Sequence, residues 1–132
     1  MPKLNRIAAT RIVANPDALD RADVPQSSLA LRFAADELFL TPPLQDETII
    51  TAHDPHAILI REGGFAGTWL PANEAAEFLA RNCEWEMPNG RPAFAQGAVA
   101  GIPTKLWLED EQVLFIVPAP YAHDFAERLE KE

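Results

Sequence analysis

Cysteine is almost missing from this chain. Cys83 is the only one among 132 residues, so no internal disulfide can form. A reducing compartment agrees with that. Positive charge is also scarce: eleven Lys and Arg stand against twenty Asp and Glu, a net charge of -9. Nucleic-acid binding rests on Lys and Arg at phosphates, so no nucleic-acid partner is expected. The same sign argues against anionic membrane surfaces. No apolar run approaches the ~18 residues needed to span a bilayer. Arg6 and Arg11 interrupt the N-terminal segment, which lacks the continuous apolar stretch of a secretory signal. The expectation is a cytoplasmic protein without a membrane partner. Internal repeats and low-complexity segments are also missing.

What is there reads as globular: 48% of the residues are hydrophobic and 23% charged. A length of 132 residues suits one domain with a real core. The expected organisation is a single domain over 1–132, with an N-terminal strand and linker in 1–28 and the main α+β body in 29–132. Charge is uneven along it. Residues 1–32 carry a net +2 and the remainder a net -11. The first segment is expected to lie on its own domain; the alternative is an arm reaching an acidic neighbour.

The pattern along the chain predicts mostly strands. Residues 6–14 form a candidate first strand, and 15–28 read as a loop with two prolines and three aspartates. Residues 29–33 alternate at period two, 34–36 turn, and 37–41 return, ended by Pro42-Pro43. Thr48–Thr51 is short and β-branched, a weak strand, and 57–61 is a stronger one. Gly63-Gly64 is a favoured hairpin pair, with 65–70 as the return strand. Pro71 suits the first turn of a helix over 71–83 that buries Ala75, Phe78, Leu79 and Cys83. Residues 83–87 read as extended and 88–92 as a turn. The small-residue strand 94–100 can pass close to another backbone. Gly101-Ile102-Pro103 is read as a turn. Residues 105–109 and 112–117 make the clearest hairpin, and the unbroken apolar run 113–117 predicts a strand buried on both faces. Pro118-Ala119-Pro120 leads into a last helix that buries Ala122, Phe125, Ala126 and Leu129. The fold class expected is α+β: a largely antiparallel sheet with two helices on one face.

Residues that carry chemistry mostly have a plainer reading. His53-Asp54-Pro55-His56 offers three metal-ligand types. Yet Pro55 excludes a helix interior, and i and i+3 face apart on a strand, so a turn is expected and no metal site is assigned. His123-Asp124 lies opposite the apolar stripe of the last helix, where Asp124–Arg128 and His123–Glu127 are i,i+4 pairs. Cys83 falls at a helix C-terminus, which disfavours thiolate, and reads as a core residue. Ser27 and Ser28 have no nucleophile-elbow motif. Glu84 and Glu86 share a strand side opposite Trp85 and Met87 and read as a solvated face. The glycines of 63–67 connect strands and do not open a helix, unlike a phosphate cradle. No catalytic residue is assigned. The loosest set is Arg91, Gln96, Lys105 and Trp107: a cation, an amide, a second cation and an aromatic as candidate ligand-binding residues.

Several residues agree with a known family in order and spacing. They are CEWEMP from Cys83, Ala95-Gln96-Gly97, Ala100-Gly101-Ile102-Pro103, Leu106-Trp107 and Val117-Pro118, over roughly Leu79 to Leu129. This block resembles the gamma subunit of heterotetrameric sarcosine oxidase, a family related to the folate-binding fold of the glycine-cleavage T-protein. Ala119-Pro120 stands where the family often has Arg-Ser. The resemblance implies a T-protein-like fold and an accessory or assembly chain with no catalytic activity and no cofactor of its own. Its partners would be larger oxidase-type subunits or a second copy of itself. The alternative is a stand-alone binder of a folate-like or acidic aromatic ligand, using Arg91, Gln96, Lys105 and Trp107. A small enzyme using His53, Asp54 and His56 ranks last.

Overall fold

The computed structural model describes residues 3–131. Over these the chain is α+β, with two antiparallel sheets and four helices. It divides into two compact units. One comprises Ile7–Gly63; the other comprises the described residues 3–6 and 64–131. The junction at residues 28 and 29 lies inside the first unit and bounds neither. The single sheet expected from the sequence is therefore two sheets, because hairpin 29–41 pairs with the N-terminal strand and not with the C-terminal ones.

The Ile7–Gly63 unit holds strand β2 (Ala9–Val13), helix α1 (Pro16–Arg21), β3 (Leu29–Ala34), β4 (Glu37–Thr41), α2 (Thr48–Thr51) and β5 (Ile58–Glu62), after the short β1 (Asn5–Arg6) of the other unit. Its sheet order is β3-β4-β2-β5. The predicted hairpin 29–41 is present, with a register shift between Arg32 and Ala34. Two elements differ from expectation. The supposed linker begins with α1, because Asn15 Oδ1 accepts the Ala18 N–H at 2.9 Å and Pro16 starts the helix. Thr48–Thr51 is a helical turn and not a strand. The Asp46 carboxylate accepts the Thr48 N–H at 3.1 Å, and Ile50 is fully buried with Ile12, Ala18, Leu19 and Leu38.

The other unit holds β1, β6 (Phe65–Pro71), α3 (Ala72–Asn82), β7 (Ala93–Val99), β8 (Ile102–Leu108), β9 (Gln112–Pro118), a 3-10 turn at Ala119–Tyr121 and α4 (Ala122–Lys131). Its sheet order is β1-β6-β9-β8-β7. Asn5 and Arg6 pair with Gly67 and Ala66, so the N-terminal segment joins its own chain. Gly63-Gly64 is not a hairpin turn. β5 pairs with β2 and β6 with β9, so the two glycines pass the chain from one sheet to the other.

The central position predicted for 113–117 holds: Val113, Leu114, Phe115, Ile116 and Val117 are all buried in β9, the third of five strands. Phe78 of α3, Phe115 of β9 and Phe125 of α4 meet at centroid distances of 5.8 to 5.9 Å. Offset and edge-to-face geometry at this range adds to burial. Ala75, Phe78 and Leu79 of α3 and Phe125, Ala126 and Leu129 of α4 are buried, as the periodicity required, while Cys83 and Ala122, expected with them, are half-buried. The β7–β8 turn sits one residue earlier than expected. Ala100 (φ 52) and Gly101 (φ 78) occupy it, while Ile102 and Pro103 already belong to β8. Positive φ at both central residues suits the twist of a hairpin. Among the described residues no helix is long and apolar enough to cross a membrane.

Candidate functional site

The last unit contains a cleft of about 630 Å³. Helix α3 forms one wall, and the sequence dictates its shape. Ala72, Ala76 and Ala80 recur every four residues and so share one side of the helix. Their short side chains leave room where longer ones would fill it. The buried Leu79, Leu108 and Val113 also line the cleft. The segment after α3 supplies Cys83, Trp85 and Met87, which also pack on the main core. Glu84 and Glu86 point to solvent between them, as the alternation predicted. Polar groups come from Asn89 and Arg91 and from Glu109 and Asp110 at the tip of the β8–β9 hairpin.

These polar groups are not equivalent. Arg91 Nη1 donates to the carbonyls of Pro88 and Gly90, both at 2.7 Å. The guanidinium thus anchors its own loop. Glu109 accepts from Trp107 Nε1 at 2.9 Å and from Gln112 Nε2 at 3.2 Å, which fixes its carboxylate. Cys83 Sγ lies 3.4 Å from the Trp85 carbonyl, to which it donates, and the residue is half-buried. That is the geometry of a packed thiol at a helix end.

Of the four candidate ligand-binding residues, only Arg91 lines this cleft. Gln96 and Lys105 are directly opposite on β7 and β8, and Lys105 Nζ donates to Gln96 Oε1 at 2.9 Å. They line a separate depression of about 380 Å³. Lys105 also sits 5.9 Å over the Phe65 ring. Trp107 shares their sheet face but lines neither hollow; it reaches the cleft only through its bond to Glu109. Strand alternation explains the split: Leu106 and Leu108 turn to the core, so Lys105 and Trp107 turn away from it.

The sequence reading missed Asn89, Glu109 and Asp110, and the alanine stripe of α3. The stripe was visible as a four-residue spacing. Nothing in the sequence placed it opposite the tip of a hairpin some thirty residues later.

The remaining candidates have structural duties. Asp54 Oδ2 accepts the Asn15 N–H and Oδ1 accepts the His56 N–H, each at 2.9 Å. These two bonds hold the Asp54 carboxyl below its usual range. His53 and His56 flank it in a turn, and among the described residues no cluster of His, Cys, Asp and Glu is arranged to hold a metal ion. His123–Glu127 at 2.9 Å and Asp124–Arg128 at 3.3 Å are exposed pairs along α4.

In the Ile7–Gly63 unit an open groove of about 1170 Å³ runs beside β5. Pro25, Pro42 and Pro43 bound it, with Ile60 and Arg61 of the strand itself. β5 is the last strand of its sheet, and Ile58 and Ile60 are 57% and 50% exposed. A scan of protein-family models finds none that matches this chain, and a search of curated proteins finds no match either.

Proposed function

We propose that this protein is an accessory or assembly chain of the sarcosine oxidase gamma type, which docks a larger oxidase-type subunit and performs no catalysis of its own. The observation that supports this reading is the edge strand β5. It presents Ile58 and Ile60 to solvent beside a proline-bounded groove. Natural edge strands are usually blunted by charge or proline; β5 carries charge only at its end, in Arg61 and Glu62, and the two exposed isoleucines before them suit pairing with an extended segment of another chain. The block that bears the resemblance, Cys83 to Leu129, makes three neighbouring strands and a covering helix of one unit, as an inherited fold piece would. A T-protein-like fold belongs to the same proposal.

The test is affinity purification of the full chain from its native source. A larger, flavin-bearing partner should co-purify, and Ile58→Lys with Ile60→Lys should abolish its recovery while the chain stays folded. A chain recovered alone, or only with copies of itself, would overturn the heteromeric reading. The stand-alone binder of a folate-like ligand is less favoured, because Arg91 is separated from Gln96, Lys105 and Trp107.

A further inference from the structure

The geometry of the α3 cleft points to a binding site for a small apolar amine: an alkyl or aryl body carrying one ammonium group. Its volume of about 630 Å³ falls in the range of small-molecule sites. Its apolar walls have few donors left to offer. Trp85 Nε1 already donates to the Ala98 carbonyl at 2.8 Å, and the Cys83 thiol donates to the Trp85 carbonyl. The indole therefore presents apolar surface, and Met87 adds an adaptable thioether beside it.

Charge decides the polar end of the ligand. Arg91, the one cation among the described residues that line the cleft, turns Nη1 onto two carbonyls of its own loop and keeps its charge, so one positive group stands against two carboxylates. Of the three carboxylates at the hairpin tip, Glu109 and Asp110 line the cleft. Glu109 is held in place by two donors, yet a carboxylate has about four acceptor positions, so it retains capacity. Asp110 makes no hydrogen bond or ion pair among the described residues, and it is exposed. An ammonium placed there gains two acceptors and opposite charge, while the body of the amine covers the alanine stripe. A carboxylate ligand would meet like charge at the same point. The site involves no residue of β5, so it stands or falls apart from the assembly reading.

Phenethylamine, 2-phenylethanol and 3-phenylpropionate share a body and differ in the head group, which makes them suitable probes. Each is titrated into the 15N-labelled full chain at low salt. Phenethylamine should give saturable shifts in the amides of Ala76, Ala80, Asn89 and Asp110. The alcohol should bind more weakly and the acid not at all. Asp110→Asn should weaken the amine roughly fivefold, the size of a partly exposed charge contact. Ala76→Leu should fill the groove and remove the shifts; leucine is a good helix former, so the fold should persist. If that variant unfolds, Asp110→Asn and the three head groups still decide. Equal or tighter binding of the acid would overturn the proposal. So would shifts located elsewhere, or none that saturate with the amine.

Discussion

The indole of Trp85 occupies the space that a side chain at Gly97 would need. A Cβ built on Gly97 comes within 2.7 Å of both Cε2 and Nε1, and Trp85 Nε1 donates to the carbonyl of the next residue, Ala98. The segment after α3 is thereby fastened across the inner face of β7. The glycine is required for a ring and not, as the small-residue pattern suggested, for a neighbouring backbone.

Gly97→Ala should therefore destabilise the protein by about 1–3 kcal/mol, the usual cost of overpacking. Urea denaturation measures it. Trp85→Ala should relieve the clash, so the double variant should lose less than the sum of the single losses. Strict additivity would show that the two residues do not share this contact.

Phe115 packs against both Phe78 and Phe125 and is fully buried. Phe115→Ala should cost about 3–5 kcal/mol. Phe115→Leu should cost much less, since it preserves most of the volume. A calorimetric melt of the three proteins ranks them.

Ala100 adopts φ 52 in the β7–β8 turn, a region that L-residues enter at a cost of about 1–2 kcal/mol. Ala100→Gly removes that cost but frees the unfolded chain, so a net gain of roughly 0.5–1 kcal/mol is expected. Gly101→Ala, at φ 78, should destabilise instead. A fall in Tm for Ala100→Gly would contradict this account of the turn.

Asp54 is held below its usual pKa, first by the Asn15 N–H and then by that of His56. A carboxyl depressed in the folded state contributes stability above its unfolded pKa of about 3.9 and loses it as pH falls through the lower folded value. Melting temperature followed through this acid window should fall more steeply for the parent protein than for Asp54→Asn. Parallel curves would remove Asp54 from the acid response.

Legibility in the sequence followed the range of the interactions. The β8–β9 hairpin and the buried run of β9 could be read because alternation and apolar continuity are properties of a few neighbouring residues. The faces of α3 and α4 could be read for the same reason. Helix α1 was within reach too: Asn15-Pro16-Asp17 is a cap, an N1 proline and a first-turn acid, and the density of turn-forming residues hid it. Thr48–Thr51 was not within reach. Its β-branched residues favour a strand, and burial of Ile50 against Ile12 and Leu38 overrides that preference.

The cleft shows the same division. Arg91 is legible from its type, and the alanines of α3 carry a visible period. Gln96, Lys105 and Trp107 lie near Arg91 in sequence, but strand alternation turns them to the face away from the core.

By itself, then, the sequence determined which segments are strands or helices where a local period exists, which side of each is apolar, and that the chain is acidic. Only the tertiary structure decided that Gly63-Gly64 leads from one sheet to another, that Trp85 lies on Gly97, and that two carboxylates of a hairpin tip line the same cleft as a stripe of alanines. The physical reason is one of distance. Periodicity is written within a few residues, whereas strand pairing and cleft formation depend on groups far apart in the chain that only packing brings together.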